Sequence, residues 1–464
     1  MEARSLKFIA EATGGTLING APEVTVQSIA TDSRQVKSGD FFIALAGDRF
    51  DAHAFLPAVA AQRPGAILAC RERVPVGLTG CPLILVDDTR RALGRLAAVY
   101  RREFVLPVVA VGGSNGKTTT KDLIASVLRQ RWPIVASEAS FNNDIGVPLT
   151  LLKLDATHRA AVLEVGTNHP GELAPLLQII QPRFGVITSI GREHLEFFGD
   201  LAGVILEEGV MGEALPADGR LFVNGEGDWL PGLVARSRAP VVRVGFQAGM
   251  DLRGDDVRLD STGVTFQVKS AQTGIDGTYR VNLLGRHQVS NALLAIGVGA
   301  ELGLTREEIG QGLRECQPPK MRLQVWDWNG VTMLDDAYNA NADSMLAALQ
   351  TLHDLPCSGR RVAVLGDMAE LGAETEPAHI EVGRRTAELG IDHLIAVGRM
   401  AGTTAAAARN AGLSGAVEVA EVGSATALLR AMVRSGDTVL LKASRSTRLE
   451  QLGEALRKSV IEKN

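Results

Sequence analysis

"VVAVGGSNGKTTTKDL", residues 108–123, reads as a buried strand, a glycine turn and the start of a helix. The common phosphate-binding loop has the pattern G-x-x-x-x-G-K-[ST]. Gly116, Lys117 and Thr118 satisfy its end, but Val111 stands where the first glycine belongs and Gly112 comes one position late. A loop in this place still turns backbone N–H groups and a helix N-terminus toward one point, which suits a phosphate. Gly113, Ser114, Asn115, Gly116 and Thr119 would line that cradle. Lys117 would bring a point charge to the outer phosphates, and Thr118 a hydroxyl to Mg²⁺. The alternative is a glycine-rich turn that holds no ligand.

The same alternation of strand and helix runs outward from this loop. "PLILVDD" before it reads as a strand, and "TRRALGRLAAVYRREF" as a helix with Leu93, Leu96, Ala97 and Tyr100 on one face. "AVLEVG", "FGVITSI" and "GRLFVN" after it are further buried strands. Such alternation predicts an α/β fold with a doubly wound parallel sheet. From about residue 240 to 285 the pattern turns β-rich, which predicts an antiparallel extension of that sheet. Pro318 and Pro319, in "CQPPKMRLQVW", mark a linker. Beyond it "VTMLDDA", "RRVAVLGD", "HLIAVG", "AVEVA" and "DTVLLKAS" set out a second Rossmann-like α/β unit. The expected domains are residues 1–87, a small mixed α/β unit, 88–317, the central loop-bearing unit, and 318–464.

A chain of 464 residues with net charge -5 and no long basic run gives little reason to expect nucleic acid as a partner. No apolar run approaches the ~20 residues needed to cross a bilayer. The N-terminus, "MEARSLKFIAEATGG", reads as an amphipathic helix rather than a targeting segment. Cys70, Cys81, Cys316 and Cys357 lack metal-ligand spacing and read as reduced thiols. A cytoplasmic monomer without membrane insertion is the expectation.

Glu164 closes the strand "AVLEVG", and His194 follows "FGVITSI". Ligands of open α/β sheets gather at the carboxyl ends of strands, so both residues could reach a cation at the loop. Each taken alone could equally be a capping or surface residue.

The strings "GGSNGKTTTK", "EVGTNHPGE", "HLEFFG", "DDAYNANADSM", "VLGDMAELG" and "KASRSTRLE" together resemble the Mur ligases of peptidoglycan synthesis. The resemblance runs nearly end to end, and residues 31–56, "TDSRQVKSGDFFIALAGDRFDAHAFL", resemble the family's uridine-nucleotide domain. The shorter loop is a feature of that family. The resemblance implies three domains, ATP and Mg²⁺. It also implies the branch in which ATP phosphorylates the terminal carboxylate of UDP-MurNAc-tripeptide and the amine of D-Ala-D-Ala attacks the acyl phosphate. A ligase adding the third amino acid is a rival, although the D-N-P-R string of its diaminopimelate form is absent. A nucleotide-binding homologue without ligase chemistry is another.

By the same resemblance Lys117 holds the β/γ-phosphates, Thr118 and Glu164 one Mg²⁺, and His194 a second. Asn291 contacts adenine, whereas Gln288 replaces the family's first asparagine, which weakens any role implied for that position. Arg322 lies near the phosphates, Asp336 at the ribose, and Tyr338 and Asn341 along the same cleft. "DDAYNAN" also suits a helix start capped by Asn or Asp, and the two readings are compatible. Thr31, Ser33 and Arg34 fall at the UDP site, or in a plain turn between strands. Asn142, Asn143, Asp144, Asn168 and His169 match substrate-facing loops. Lys442, Ser444 and Arg445 lie near the incoming amine's site or form a solvated basic surface.

One position departs from the family. Mur ligases carry, where this chain has Glu208, a lysine whose CO₂ adduct ligates the second Mg²⁺. No lysine occurs in "HLEFFGDLAGVILEEGVMGEAL". Glu208 could supply that carboxylate directly, through a water that Mg²⁺ readily keeps. Otherwise Glu207 and Glu208 are solvent-facing helix residues.

Overall fold

The computed structural model describes residues 1–47, 50–270 and 274–461, so residues 48 and 49 of the predicted uridine-nucleotide segment lie outside the described residues. Three sheets of five or more strands carry the chain, in the expected α/β class. The largest has nine strands, in the order Ile134–Ala136, Ala160–Glu164, Val108–Gly112, Phe184–Ile187, Arg220–Asn224, Val241–Gly245, Leu252–Asp260, Gly263–Ser270 and Gly277–Val281. The β-rich stretch only partly follows expectation. Arg220–Asn224, Val241–Gly245 and the start of Leu252–Asp260 are parallel neighbours, and only the last two pairings are antiparallel.

By compactness the chain divides into two units. The first comprises Met1–Ala110, Trp132–Gly166 and Leu173–Phe184, and the second Val111–Arg131, Thr167–Glu172 and Gly185–Asn464. In the first unit a five-stranded sheet runs Thr16–Ile18, Leu83–Val86, Ala66–Cys70, Phe41–Ile43, Ile29–Ala30, parallel except for its first strand. The amphipathic N-terminal helix begins at Leu6, because Ser5 caps it by accepting the N–H of Phe8. Arg4 and Ser5 before it pair as a short strand with Thr25 and Val26.

Within the second unit a six-stranded sheet runs Gln324–Trp328, Val331–Asp336, Thr438–Lys442, Arg361–Gly366, His393–Val397, Ala416–Val419. Its continuous apolar runs serve two cores. Leu334, Ala363, Leu365, Leu394 and Leu440 face one buried cluster, while Met333, Val362, Val364, Ile395 and Leu441 face another. Helices cover both faces, which is why these strands read as unbroken hydrophobic runs. Gln324–Trp328 begins inside the expected linker. It is an edge strand, antiparallel to Val331–Asp336, and its "QVWDW" is half-exposed. Among the described residues no helix is long and apolar enough to cross a membrane.

Candidate active site

The loop after Val108–Gly112 is built by two glycines with left-handed φ. Gly113 has φ +105°, and a Cβ there would stand 2.6 Å from Thr188 Oγ1 and 2.8 Å from Thr188 N. Gly116 has φ +88°, and its Cβ would meet Asn291 Oδ1 at 2.6 Å. No other residue type fits either conformation without strain. Helix Lys117–Arg129 starts directly after Gly116.

The segment after Phe184–Ile187 fixes the loop from outside. Ser114 N donates to Ser189 O at 2.8 Å, and Asn115 N to Ser189 Oγ at 2.9 Å. Gly191 N donates to Ser114 Oγ at 2.8 Å. The Lys117 side chain is only 16% exposed and folds back over the turn. Its Nζ donates to Gly113 O at 2.5 Å and Ser114 O at 3.1 Å, and lies 3.4 Å from Glu193 Oε2.

Two acids therefore flank this lysine. Glu193 is buried, and burial raises its carboxyl above the ordinary range against the pull of Lys117 and His194. Glu208 sits on helix Leu201–Ala214 and is only 2% exposed. Its Oε2 accepts from Gly113 N at 2.8 Å. Burial pushes its carboxyl to about 7, with Lys117 opposing and the charges of Glu193 and Glu207 adding to the rise. Glu207 is buried too and accepts from Gly171 N at 2.8 Å. The solvent-facing reading of the pair is overturned: each acid ties a different loop to one helix.

Thr118 is buried, and its hydroxyl has no hydrogen-bond partner among the described residues; the same is true of Glu164 Oε2. Buried oxygens are nearly always satisfied. Each of these two is, taken by itself, an oxygen donor of the kind that Mg²⁺ prefers. Within the first unit Glu164 Oε1 accepts from Asn142 Nδ2 at 2.9 Å, which holds the carboxylate at its strand end. Asn143 caps its own turn by accepting from Gly146 N, and Asp144 pairs with Arg90 at 2.5 Å. His169 lies 3.0 Å from Glu172 and 4.3 Å, ring to ring, from Phe197; Asn168 N also donates to Glu172.

Gln288, for which sequence reading gave only a weakened role, makes a defined contact. Its Oε1 accepts from Asn291 Nδ2 at 2.9 Å, so it orients the amide of a buried Asn291. Both lie on helix His287–Glu301 at an i, i+3 spacing. Arg322 stacks over the Tyr338 ring at 4.4 Å. Asp336 Oδ2 takes an ion pair from Lys442 at 2.6 Å, and Oδ1 the N–H of Leu323. Asn341 caps helix Ala342–Asp354 and also donates to Asn115 Oδ1 at 3.1 Å. Capping and site contact are thus carried by one side chain.

Lys442 and Ser444 are buried, and Ser444 Oγ donates to Ala340 O at 3.0 Å. They are not a solvated basic surface; only Arg445 is exposed, beside Glu450. Thr31 and Ser33 are half-buried. Arg34 is 86% exposed and paired with Asp32, whose carboxyl that arginine lowers to about 2. Ser189, Gly191, Arg192 and Glu193 were missed by sequence reading. The signal was available, since they directly follow a strand that ends beside the loop.

A family model described as the Mur ligase middle domain matches residues 111–299, and one described as the Mur ligase, glutamate ligase domain matches 321–445. The UDP-N-acetylmuramoyl-tripeptide–D-alanyl-D-alanine ligase of Escherichia coli (strain K12) is 35% identical over 96% of this chain and 97% of its own. The chain belongs to the Mur ligase family. A second Mur ligase, the enzyme of the same name from Bacillus subtilis (strain 168), is 34% identical over 99% of this chain and all of its own. Crystal structure I of MurF from Acinetobacter baumannii superposes with a TM-score of 0.90, at 32% identity and 99% coverage of both chains. The MurF ligase of Thermotoga maritima in complex with ADP gives 0.82, at 25% identity, over 95% of this chain and 99% of that one.

Proposed function

We infer that this Mur ligase joins D-Ala-D-Ala to UDP-MurNAc-tripeptide, with ATP converted to ADP and phosphate. The observation that carries the reading is the loop of residues 112–118, which stands preformed with its lysine and a buried, unpartnered threonine hydroxyl. The substrate names come from relatives that match along almost the whole chain. A carboxylate is a poor electrophile until it is phosphorylated, and both its phosphorylation and the later attack concentrate negative charge. In this reading the loop N–H groups and Lys117 hold the triphosphate. Asn291, set by Gln288, contacts adenine. Asp336 keeps lone pairs for a ribose hydroxyl after serving Lys442. Arg322, Tyr338 and Asn341 line the nucleotide cleft. Thr31, Ser33 and Arg34 take the uridine nucleotide, while Asn142, Asn143, Asp144, Asn168 and His169 face the peptide.

Mg²⁺ belongs to the same proposal. Thr118, Glu164, His194 and Glu208 would hold it, and it would supply positive charge at the phosphates. By the resemblance to the family Glu208 stands where a carbamylated lysine is expected, and its buried carboxyl accepts from Gly113 N in the loop. Domain limits of 1–87, 88–317 and 318–464, and action as a cytoplasmic monomer, complete the proposal. The test is phosphate release by the full chain with UDP-MurNAc-tripeptide, ATP and Mg²⁺, with and without D-Ala-D-Ala. Release that requires the dipeptide supports the reading. Release that instead requires a free amino acid and UDP-MurNAc-dipeptide assigns the chain to the preceding ligation, and no release at all removes ligase chemistry.

A further inference from the structure

The backbone at His194 is in the left-handed region, φ +50°, and so is that at Glu370, φ +61°. Both are non-glycine residues, for which that region costs about 1–2 kcal/mol. The two strained residues meet. His194 Nδ1 and Glu370 Oε2 lie 2.5 Å apart, and Glu196 N donates to Glu370 O at 3.1 Å. Gly372, at φ +57°, completes the turn. A Cβ there would approach Glu196 Cα to 3.2 Å, so the turn lies directly on the backbone of helix Leu195–Phe198.

His194 lies in the part of the chain that matches the middle-domain model, and Glu370 in the part that matches the C-terminal one. Neighbouring residues repeat the bridge. Arg192 donates to both Asp343 oxygens and, through Nη1, to Glu381 at 2.7 Å. Asn341 donates to Asn115 in the nucleotide loop. The segment 191–196 is therefore held along its length by side chains and backbone of the 321–445 region.

We propose that Glu370 is the positioning residue for His194. Its carboxylate accepts the Nδ1 proton, fixes the ring's rotation and leaves the Nε2 lone pair to face a divalent cation. Metal-bound histidines characteristically donate their other ring N–H to a carboxylate or carbonyl. Here that carboxylate comes from the region that matches the C-terminal family model. The cation site reaches its full affinity only while the turn of residues 370–372 rests on helix Leu195–Phe198, so that contact and metal loading are coupled. This rests on the reading of His194 as a metal ligand.

The test uses the full-length protein, Mn²⁺ as the probe and a non-hydrolysable ATP analogue, with free Mn²⁺ followed by electron spin resonance. His194→Ala tests the ligand and Glu370→Ala the positioning. Glu370→Gln keeps an acceptor oxygen but not the charge. Loss of a partner that orients a metal ligand weakens metal binding roughly 10–100-fold, which is the expectation for Glu370→Ala, with Glu370→Gln closer to wild type. In metal-free, [¹⁵N]histidine-labelled protein, the His194 ring should carry its proton on Nδ1, and Glu370→Ala should lose that preference. If His194→Ala weakens Mn²⁺ binding but Glu370→Ala does not, the positioning role is refuted and the ligand reading stands. If His194→Ala binds Mn²⁺ like wild type, the ligand reading falls and the positioning role with it. An unchanged tautomer in Glu370→Ala also refutes the positioning role.

Discussion

Replacing Glu208 by glutamine isolates the cost of a buried charge beneath the nucleotide loop. Glutamine keeps the shape and an oxygen for Gly113 N–H, but it cannot ionise. The carboxyl of Glu208 has its ordinary value of 4.5 in the unfolded chain and about 7 when folded. A carboxyl whose pKa is raised by folding contributes stability that is complete below the unfolded value and is lost as pH rises through the folded one. At ~1.4 kcal/mol per pKa unit the gap between 4.5 and about 7 amounts to about 3 kcal/mol. Glu208→Gln should therefore melt close to wild type near pH 4.5 and several degrees above it at pH 8, in EDTA. The divergence should open across that window. The assay is a thermal melt followed by tryptophan fluorescence at half-unit steps of pH. A melting difference that stays flat from pH 4.5 to 8 refutes the argument. Adding Mg²⁺ and ATP should narrow the gap at pH 8, because the wild-type carboxylate then gains a cation.

Lys117→Ala should abolish dipeptide-dependent phosphate release and leave binding of UDP-MurNAc-tripeptide measurable by calorimetry; near-normal release would show that the loop is misassigned. Gly113→Ala places a Cβ 2.6 Å from Thr188 Oγ1 at φ +105°, and strain of about 1–3 kcal/mol should weaken ATP binding roughly tenfold or more; wild-type affinity in a fluorescent-nucleotide titration would contradict it. Lys442→Ala leaves the partly buried Asp336 without its cation but with the N–H of Leu323, so a loss of about 1–3 kcal/mol in denaturant stability is expected, and no measurable loss would count against the pair.

Sequence periodicity located most of the sheets because both faces of the strands are covered. Val362, Val364 and Leu441 alternate with Ala363, Leu365 and Leu440 between two apolar cores, and such runs have few other readings. The Gln324–Trp328 strand was hidden because an edge strand with half-exposed polar and aromatic residues after a proline pair carries neither period cleanly. Strand ends were legible as places for chemistry, so sequence reading could single out Glu164, His194 and the loop as candidates. What was not legible was which distant side chains meet there. Glu193 beside Lys117, Glu208 on Gly113 and Glu370 on His194 join residues 76, 95 and 176 positions apart. No local pattern encodes such meetings. Gln288 is the instructive exception, since an i, i+3 pair on a helix is local and could have been read.

The bonds between Ser114, Asn115, Ser189 and Gly191 also bear on the thermodynamics of nucleotide entry. Loops that organise only around their ligand lose conformational entropy on binding, and affinity falls accordingly. In this chain the ordering was completed during folding, by contacts internal to the protein. Association should therefore proceed without a reordering of the loop backbone itself. Cutting the Ser189 tether should lower affinity through an unfavourable entropy, with every phosphate contact left in place.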